Sequence, residues 1–145
     1  MPYIRPLAIC VFRHGDKILV FEGFDPVKNE KFYRQLGGGI DFGEYSTETI
    51  HRELMEELGA EVKGLVYLGT LENIFTFNGE PGHEIVQVYD GALVAYGLYE
   101  QTVISGHEPE LNLPFEAMWK SLDEFGTGKS ILYPDGLLEL LSNSL

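Results

Sequence analysis

Glu53, Glu56 and Glu57 fall within five residues of one another, in a segment without glycine or proline, and Asp41 and Glu44 stand shortly before them. Carboxylates at such spacing can do hard-cation chemistry. Residues three and four apart share one face of a helix, and Mg2+ takes oxygen ligands, usually one or two carboxylates together with waters and substrate phosphates. From Ser46 to Leu58, Ile50, Leu54 and Leu58 recur at every fourth position, which predicts a helix with one apolar stripe. Gly59 then sits where a helix C-terminus favours glycine. At about 100° per residue from Ile50, Leu54 and Leu58 lie near 40° and 80°, while Glu57, Glu53 and Glu56 lie near 340°, 300° and 240°. The acidic arc therefore adjoins the stripe that must face the core. Glu57 lies closest to it and is expected to be partly desolvated. Like charges at these spacings destabilise a helix, and burial makes the repulsion worse. A divalent cation would reverse the sign. The competing reading is a solvated acidic helix face. Against it stand the position beside the core stripe and the cluster Gly37, Gly38, Gly39 and Gly43, which is entropically expensive unless the backbone must approach something closely.

The elements that must position these residues are legible in part. Leu7–Arg13 and Lys17–Glu22 read as strands around a turn at residues 14–16. Gly23–Lys31 reads as a loop and Phe32–Leu36 as a short extended piece. Val62–Phe77 favours strand. Asn78–Gly82 is expected to be a turn, with a further strand from Glu84. Ser105–Pro114 reads as a loop, and Phe115–Lys120 as a short strand. Ser121 and Glu124 have the spacing of a capping box. Pro134 suits the first turn of a terminal helix running to Leu145. Strands, one central helix, strands and terminal helices predict a mixed sheet with helices packed on it.

The chain has 145 residues, 44% hydrophobic and 23% charged, as expected of one folded domain spanning residues 1–145. Its formal charge of −13 argues against sequence-independent nucleic-acid binding and predicts that any phosphorylated substrate needs bound cations. The one cysteine, Cys10, lies in an apolar run and reads as a buried, inert thiol. No apolar run approaches the roughly 20 residues of a membrane span, and no secretory segment is evident. The expected location is the cytoplasm.

These residues resemble a known family. The segment is similar to the Nudix box, G-x5-E-x7-R-E-U-x-E-E-x-G-U with U a bulky aliphatic: Gly38, Glu44, Arg52, Glu53, Leu54, Glu56, Glu57 and Gly59 take their places. Ala60 departs from the final aliphatic, and Leu36 stands where many members have proline. The lead-in from Tyr33 to Gly39 resembles a subgroup with a YRxLGGG pattern. The resemblance implies an α/β/α sandwich that hydrolyses a nucleoside diphosphate linked to another group X, using Mg2+ or Mn2+. It implies metal ligation by Glu53, Glu56, Glu57 and the Gly38 carbonyl. The resemblance equally allows Glu56 or Glu53 to act instead as the general base, roles that spacing alone does not separate, and it implies that Arg52 and Glu44 support the ligands. Among later acidic residues, Glu108, Glu110 and Glu116 are candidates for the site, with Glu116 favoured for its nearness to Trp119. Arg34 is a candidate phosphate contact. Dimers are common in the family. A nucleotide sensor that does not cleave, and a plain acidic interaction domain, are the alternatives; the intact glutamate set counts against both.

Overall fold

The run Leu7–Phe12 is buried on both faces of a strand, a demand that only layers on either side can meet. In the computed structural model, which describes residues 2–109 and 111–143, this strand, β1 (Arg5–His14), lies centrally in the sheet. Ala8, Cys10 and Phe12 point into one core together with Ile50 and Leu54 of helix α1 (Ser46–Leu58). Leu7, Ile9 and Val11 point into the other. That second core is closed by Phe125 of α2 (Leu122–Gly126) and by Leu137 and Leu141 of α3 (Leu137–Asn143). Cys10 is buried and its thiol is pushed up by that burial, as expected of an inert side chain.

The strands are β1, β2 (Lys17–Asp25), β3 (Glu30–Arg34), β4 (Leu36–Gly39), β5 (Val62–Phe77), β6 (Glu80–Leu93), β7 (Val103–Glu108) and β8 (Leu113–Ser121). They run in the order β5-β6-β1-β2-β8-β7, with β1 and β6 parallel and the other pairs antiparallel. β1 and β2 pair at Arg13↔Ile18 and His14↔Lys17, near their shared turn. Further along they part, and β4 takes the freed edge of β1 while β3 takes that of β2. A cleft of about 780 Å³ opens in this fork, lined by β1, β2, β4, the acidic face of α1 and the β7–β8 hairpin.

Several boundaries differ from the sequence expectation, each because cross-strand pairing prevails over local turn chemistry. Residues 23–25 and 30–31 extend β2 and β3 rather than forming loop, and Asp25 accepts the backbone N–H groups of Val27 and Lys28 at the tip. The turn expected at 78–82 contracts to Asn78-Gly79, both at positive φ, the two-residue hairpin that Asn-Gly favours. The loop expected over 105–114 is largely the β7–β8 hairpin, whose register runs out to Glu108↔Leu113. Ser121 does cap α2, accepting the Asp123 N–H, but Glu124 instead accepts from Lys120 Nζ and Ser130 Oγ, so no capping box closes. Pro134 lies before α3 in a turn accepting the Leu137 N–H; the expected last residues, Ser144 and Leu145, lie outside the described residues. Among the described residues, no helix is long and apolar enough to cross a membrane.

α1 is fixed at both ends. Glu48 accepts the Tyr45 N–H at its start, and the Gly59 N–H closes its end on the Met55 carbonyl. The loop before it is tied to its outer face through Glu44. One Glu44 oxygen accepts from Arg52 Nη2 at 3.0 Å and from the buried Thr49 hydroxyl at 2.6 Å, and the other accepts from Arg52 Nε at 2.9 Å. This fork-to-fork pairing is the strongest geometry an ion pair can take. It holds the Glu44 carboxyl down at about 2, with the Arg52 hydrogen bond as the main cause. Truncating the fully buried Leu54 to alanine is expected to lower the unfolding free energy by about 2–5 kcal/mol in urea titrations. Because Glu44 has a depressed folded-state pKa, its contribution is complete above the ordinary value of 4.5 and disappears as pH falls toward 2. Glu44→Gln should therefore be less stable than wild type at neutral pH, with the gap between their melting temperatures closing through that acid window.

Candidate active site

The burial of the three helix glutamates follows the angular order read from the sequence. Glu57, nearest the apolar stripe, is only 8% exposed; the side chains of Glu53 and Glu56 are 12% and 40% exposed. Their surroundings differ accordingly. Arg52 Nη1 donates to Glu53 Oε1 at 3.0 Å and reaches Glu56 Oε2 at 3.4 Å. Arg52 Nη2 also donates to the Gly39 carbonyl at 3.0 Å and lies 3.4 Å from Asp41. One guanidinium thus serves four carboxylates, and its own pKa is pushed up, chiefly by the Glu44 hydrogen bond.

No Arg52 contact relieves Glu57. Its Oε1 is fully buried without a hydrogen-bond partner among the described residues. Burial, then the charges of Glu53 and Glu108, push its carboxyl up to about 8, against the opposing Gly37 N–H. Glu53 is also pushed up, by burial first, although Arg52 opposes the shift. Carboxyls displaced in this direction, by burial first, mark a place where the charged form is disfavoured unless a ligand compensates it.

Gly38 faces this group from β4. A Cβ there would come 2.5 Å from the Glu53 carboxyl carbon, so glycine is what allows strand and carboxylate to approach. Leu36, at the departure from proline, is fully buried and pairs in register with Cys10. Ala60, smaller than the expected aliphatic, is buried in the same core as Ile50 and Leu54.

The later acidic candidates separate by strand parity. Ile104 is buried on the α1 side, and Glu108, four residues on in β7, lines the cleft and bears electrostatically on both Glu53 and Glu57. Glu116 pairs with Ser105 on the other face of the hairpin, is exposed and does not line the cleft, which corrects the preference for it. Its nearness to Trp119 in sequence was misleading, because Trp119 and Glu116 point to opposite faces. Counting by twos from Ile104 would have selected Glu108. Glu110 lies outside the described residues.

Arg34 lines the cleft but is not free there: it donates to Glu84, which is buried and also lies 3.9 Å from Arg5. Glu84 thus holds Arg34 in place beside Arg5. Arg5 and Gln35, which also line the cleft, carried no motif in the sequence. Phe77 lines it as well, whereas Tyr33 is core. As the side chains stand, no three His, Cys, Asp or Glu among the described residues are gathered closely enough to hold a metal ion. Gathering of the three helix glutamates was the expectation; Arg52 instead draws Glu53 and Glu56 to itself.

Comparison with known proteins gives these residues a family. A model of the NUDIX domain matches residues 3–135. The NAD-capped RNA hydrolase NudC of Haemophilus influenzae is 30% identical over 126 residues, covering 85% of this chain and 41% of that protein. The mitochondrial NAD(P)H pyrophosphatase NUDT13 of Mus musculus is 30% identical over 96 residues, covering 60% of this chain and 27% of that protein. The chain thus spans less than half the length of these curated relatives. Among solved structures, a NUDIX hydrolase from Nitrosomonas europaea superposes with a TM-score of 0.67 at 19% identity, covering 98% of this chain and 88% of that one. A structure described as an ADP compounds hydrolase does so at 0.63 and 18%, covering 99% and 74%. With the glutamates of the box carried on α1 and the family match spanning nearly the whole sequence, the chain belongs to the Nudix family and has its α/β/α sandwich fold.

Proposed function

We propose that this chain hydrolyses the pyrophosphate bond of a nucleoside diphosphate linked to a further group, with Mg2+ or Mn2+ held by Glu53, Glu56, Glu57 and the Gly38 carbonyl. The observation that carries this reading is the buried, unpartnered Glu57 oxygen beside Glu53 in a cleft that also receives Glu108. The donor set fits a hard cation: every candidate ligand is an oxygen, and burial, ahead of the neighbouring carboxylates, disfavours the charged forms of Glu53 and Glu57, which a bound cation would favour. When bound, such a cation supplies Lewis-acid activation of water and neutralises charge on the diphosphate oxygens.

The chain's own residues do the positioning. Arg52 orients Glu53 and Glu56 and ties them to the Gly39 carbonyl, so that helix and glycine strand present their oxygens together. Glu44 in turn holds Arg52. Whichever of Glu56 and Glu53 does not ligate is the general base that takes the proton of the attacking water, and Glu56 is the more accessible of the two. Arg34, fixed by Glu84, faces the cleft as a phosphate contact.

The curated relatives are named for NAD-capped RNA and for NAD(P)H. Those names favour an NAD-type dinucleotide, in which a pyrophosphate joins two nucleotides. The charge of −13 weighs against an RNA tail, since a polyanion gains affinity mainly from lysine and arginine contacts.

A panel of NADH, ADP-ribose, dinucleoside polyphosphates, nucleotide sugars and oxidised nucleoside triphosphates, each with Mg2+ or Mn2+ and product analysis, tests the reading. NADH is expected to yield two mononucleotides, and absence of cleavage across the panel contradicts hydrolysis. Glu57→Gln should lower kcat at least 100-fold yet melt no lower than wild type in chelator, because it replaces a carboxyl that burial already pushes up to about 8 and whose Oε1 has no hydrogen-bond partner among the described residues. Wild type should melt higher as Mg2+ or Mn2+ is added, in proportion to occupancy. Glu53→Gln should diminish that rise.

A further inference from the structure

Gln35 occupies the hinge between β3 and β4, where the chain crosses from the β2 side of the fork to the β1 side. It is 3% exposed, and it lines the same cleft as the helix glutamates. Both ends of its amide, Oε1 and Nε2, are buried without a hydrogen-bond partner among the described residues. Its neighbours in sequence are fully engaged: Arg34 is bound to Glu84, and Leu36 is packed in the core. An amide buried with neither end satisfied is destabilising, and an apolar residue of similar shape would be better there for folding alone. Leucine or methionine would also extend the second core, which already receives Tyr33, Leu7 and Ile9 from the surrounding strands.

Glutamine at this position therefore serves something other than packing. A primary amide offers one acceptor and one donor side by side, and it pairs with a planar edge that offers the complementary donor and acceptor. The adenine edge does so, as does a carboxamide. Glutamine pairing with the adenine edge is a standard recognition geometry in nucleic-acid complexes. Other cleft walls suit a flat ring: Phe21 and Phe115 lie with centroids 5.7 Å apart, and Phe77 lines the same space. We propose that Gln35 is the residue that reads the substrate's base, pairing its amide with an adjacent donor and acceptor on the adenine ring or on a nicotinamide carboxamide. The inference rests on the nucleotide-handling reading above but concerns binding, not bond cleavage. An unfilled polar pair of this kind gives strong discrimination, because a ligand lacking the complementary edge leaves both groups unpaired.

The test uses ligands that contain no pyrophosphate to cleave. Calorimetric titrations of AMP, nicotinamide mononucleotide and ribose 5-phosphate into wild type and Gln35→Met separate base reading from phosphate binding. Gln35→Met is expected to melt higher than wild type without ligand, and to weaken AMP or nicotinamide mononucleotide roughly tenfold, equivalent to about 1.4 kcal/mol, while ribose 5-phosphate is unchanged. Loss confined to AMP identifies the adenine edge; loss confined to nicotinamide mononucleotide identifies the carboxamide. Equal binding of all three ligands by variant and wild type, or an equal loss for all three, overturns the proposal. So does a variant that melts lower or fails to fold, since the amide would then be satisfied within the protein. Gln35→Leu repeats the comparison with a second apolar shape. Should wild type bind these nucleotides but cleave no dinucleotide, the hydrolytic reading fails and the assignment of Gln35 stands.

Discussion

Everything in the cleft depends on one guanidinium. Arg52 stands on the solvent side of α1 and holds Glu44 bidentately, Glu53 at 3.0 Å and the Gly39 carbonyl at 3.0 Å. These contacts join three pieces of chain at one side chain: the glycine strand, the loop that follows it and the helix. Arginine is required, because a lysine ammonium cannot offer a planar fork to one carboxylate while donating sideways to others. The exposed part of this network contributes little to stability by itself. Its value is geometric, since it fixes the direction in which Glu53 and the glycine backbone face each other.

The same arrangement leaves an imbalance. Arg52 answers Glu44, Glu53, Glu56 and Asp41, but not Glu57, which is the most buried of the helix carboxylates. A fold selected for stability alone would place an apolar side chain there, as it would at Gln35. Two side chains with buried polar atoms that find no hydrogen-bond partner among the described residues, Glu57 Oε1 and both ends of the Gln35 amide, thus line a single cleft. Local violations of the rules that make proteins stable are expected at functional sites, where a ligand completes what the chain leaves open. Glu57 and Gln35 lie toward different chemistries, one calling for a cation and the other for a planar polar edge. The proposed hydrolysis of a nucleotide pyrophosphate would use both.

The helix was legible from its residues because several independent features agreed. The apolar stripe, the closing glycine and the absence of breakers gave its limits, Ser46 and Leu58, and the angular positions of the glutamates gave their order of burial. The central hairpin and the long β5 strand were legible for the same reason. What local reading missed depends on partners distant in the chain. β7 and the start of β8 look like a loop because Gly106, Pro109 and Pro114 mask a register set by cross-strand pairing. The choice of Glu116 over Glu108 failed on parity, which becomes visible only once Ile104 is known to be buried. Gln35 carried no motif; its meaning comes from the lack of hydrogen-bond partners for its amide among the described residues. The draw of Arg52 on Glu53 and Glu56 was likewise invisible to spacing, which fixes where side chains begin but not where they end.

The central claim is that Glu53, Glu56 and Glu57 hold divalent cations against the substrate's diphosphate. Anomalous diffraction from a crystal soaked in Mn2+ at neutral pH tests it most directly. The account predicts an anomalous peak at coordination distance, about 2 Å for so compact a cation, from carboxylate oxygens of Glu57 and at least one of Glu53 and Glu56, with Arg52 still bound to Glu44. Mn2+ density elsewhere in the molecule, or none in the cleft while the Glu57 oxygen stays without a partner, would contradict it.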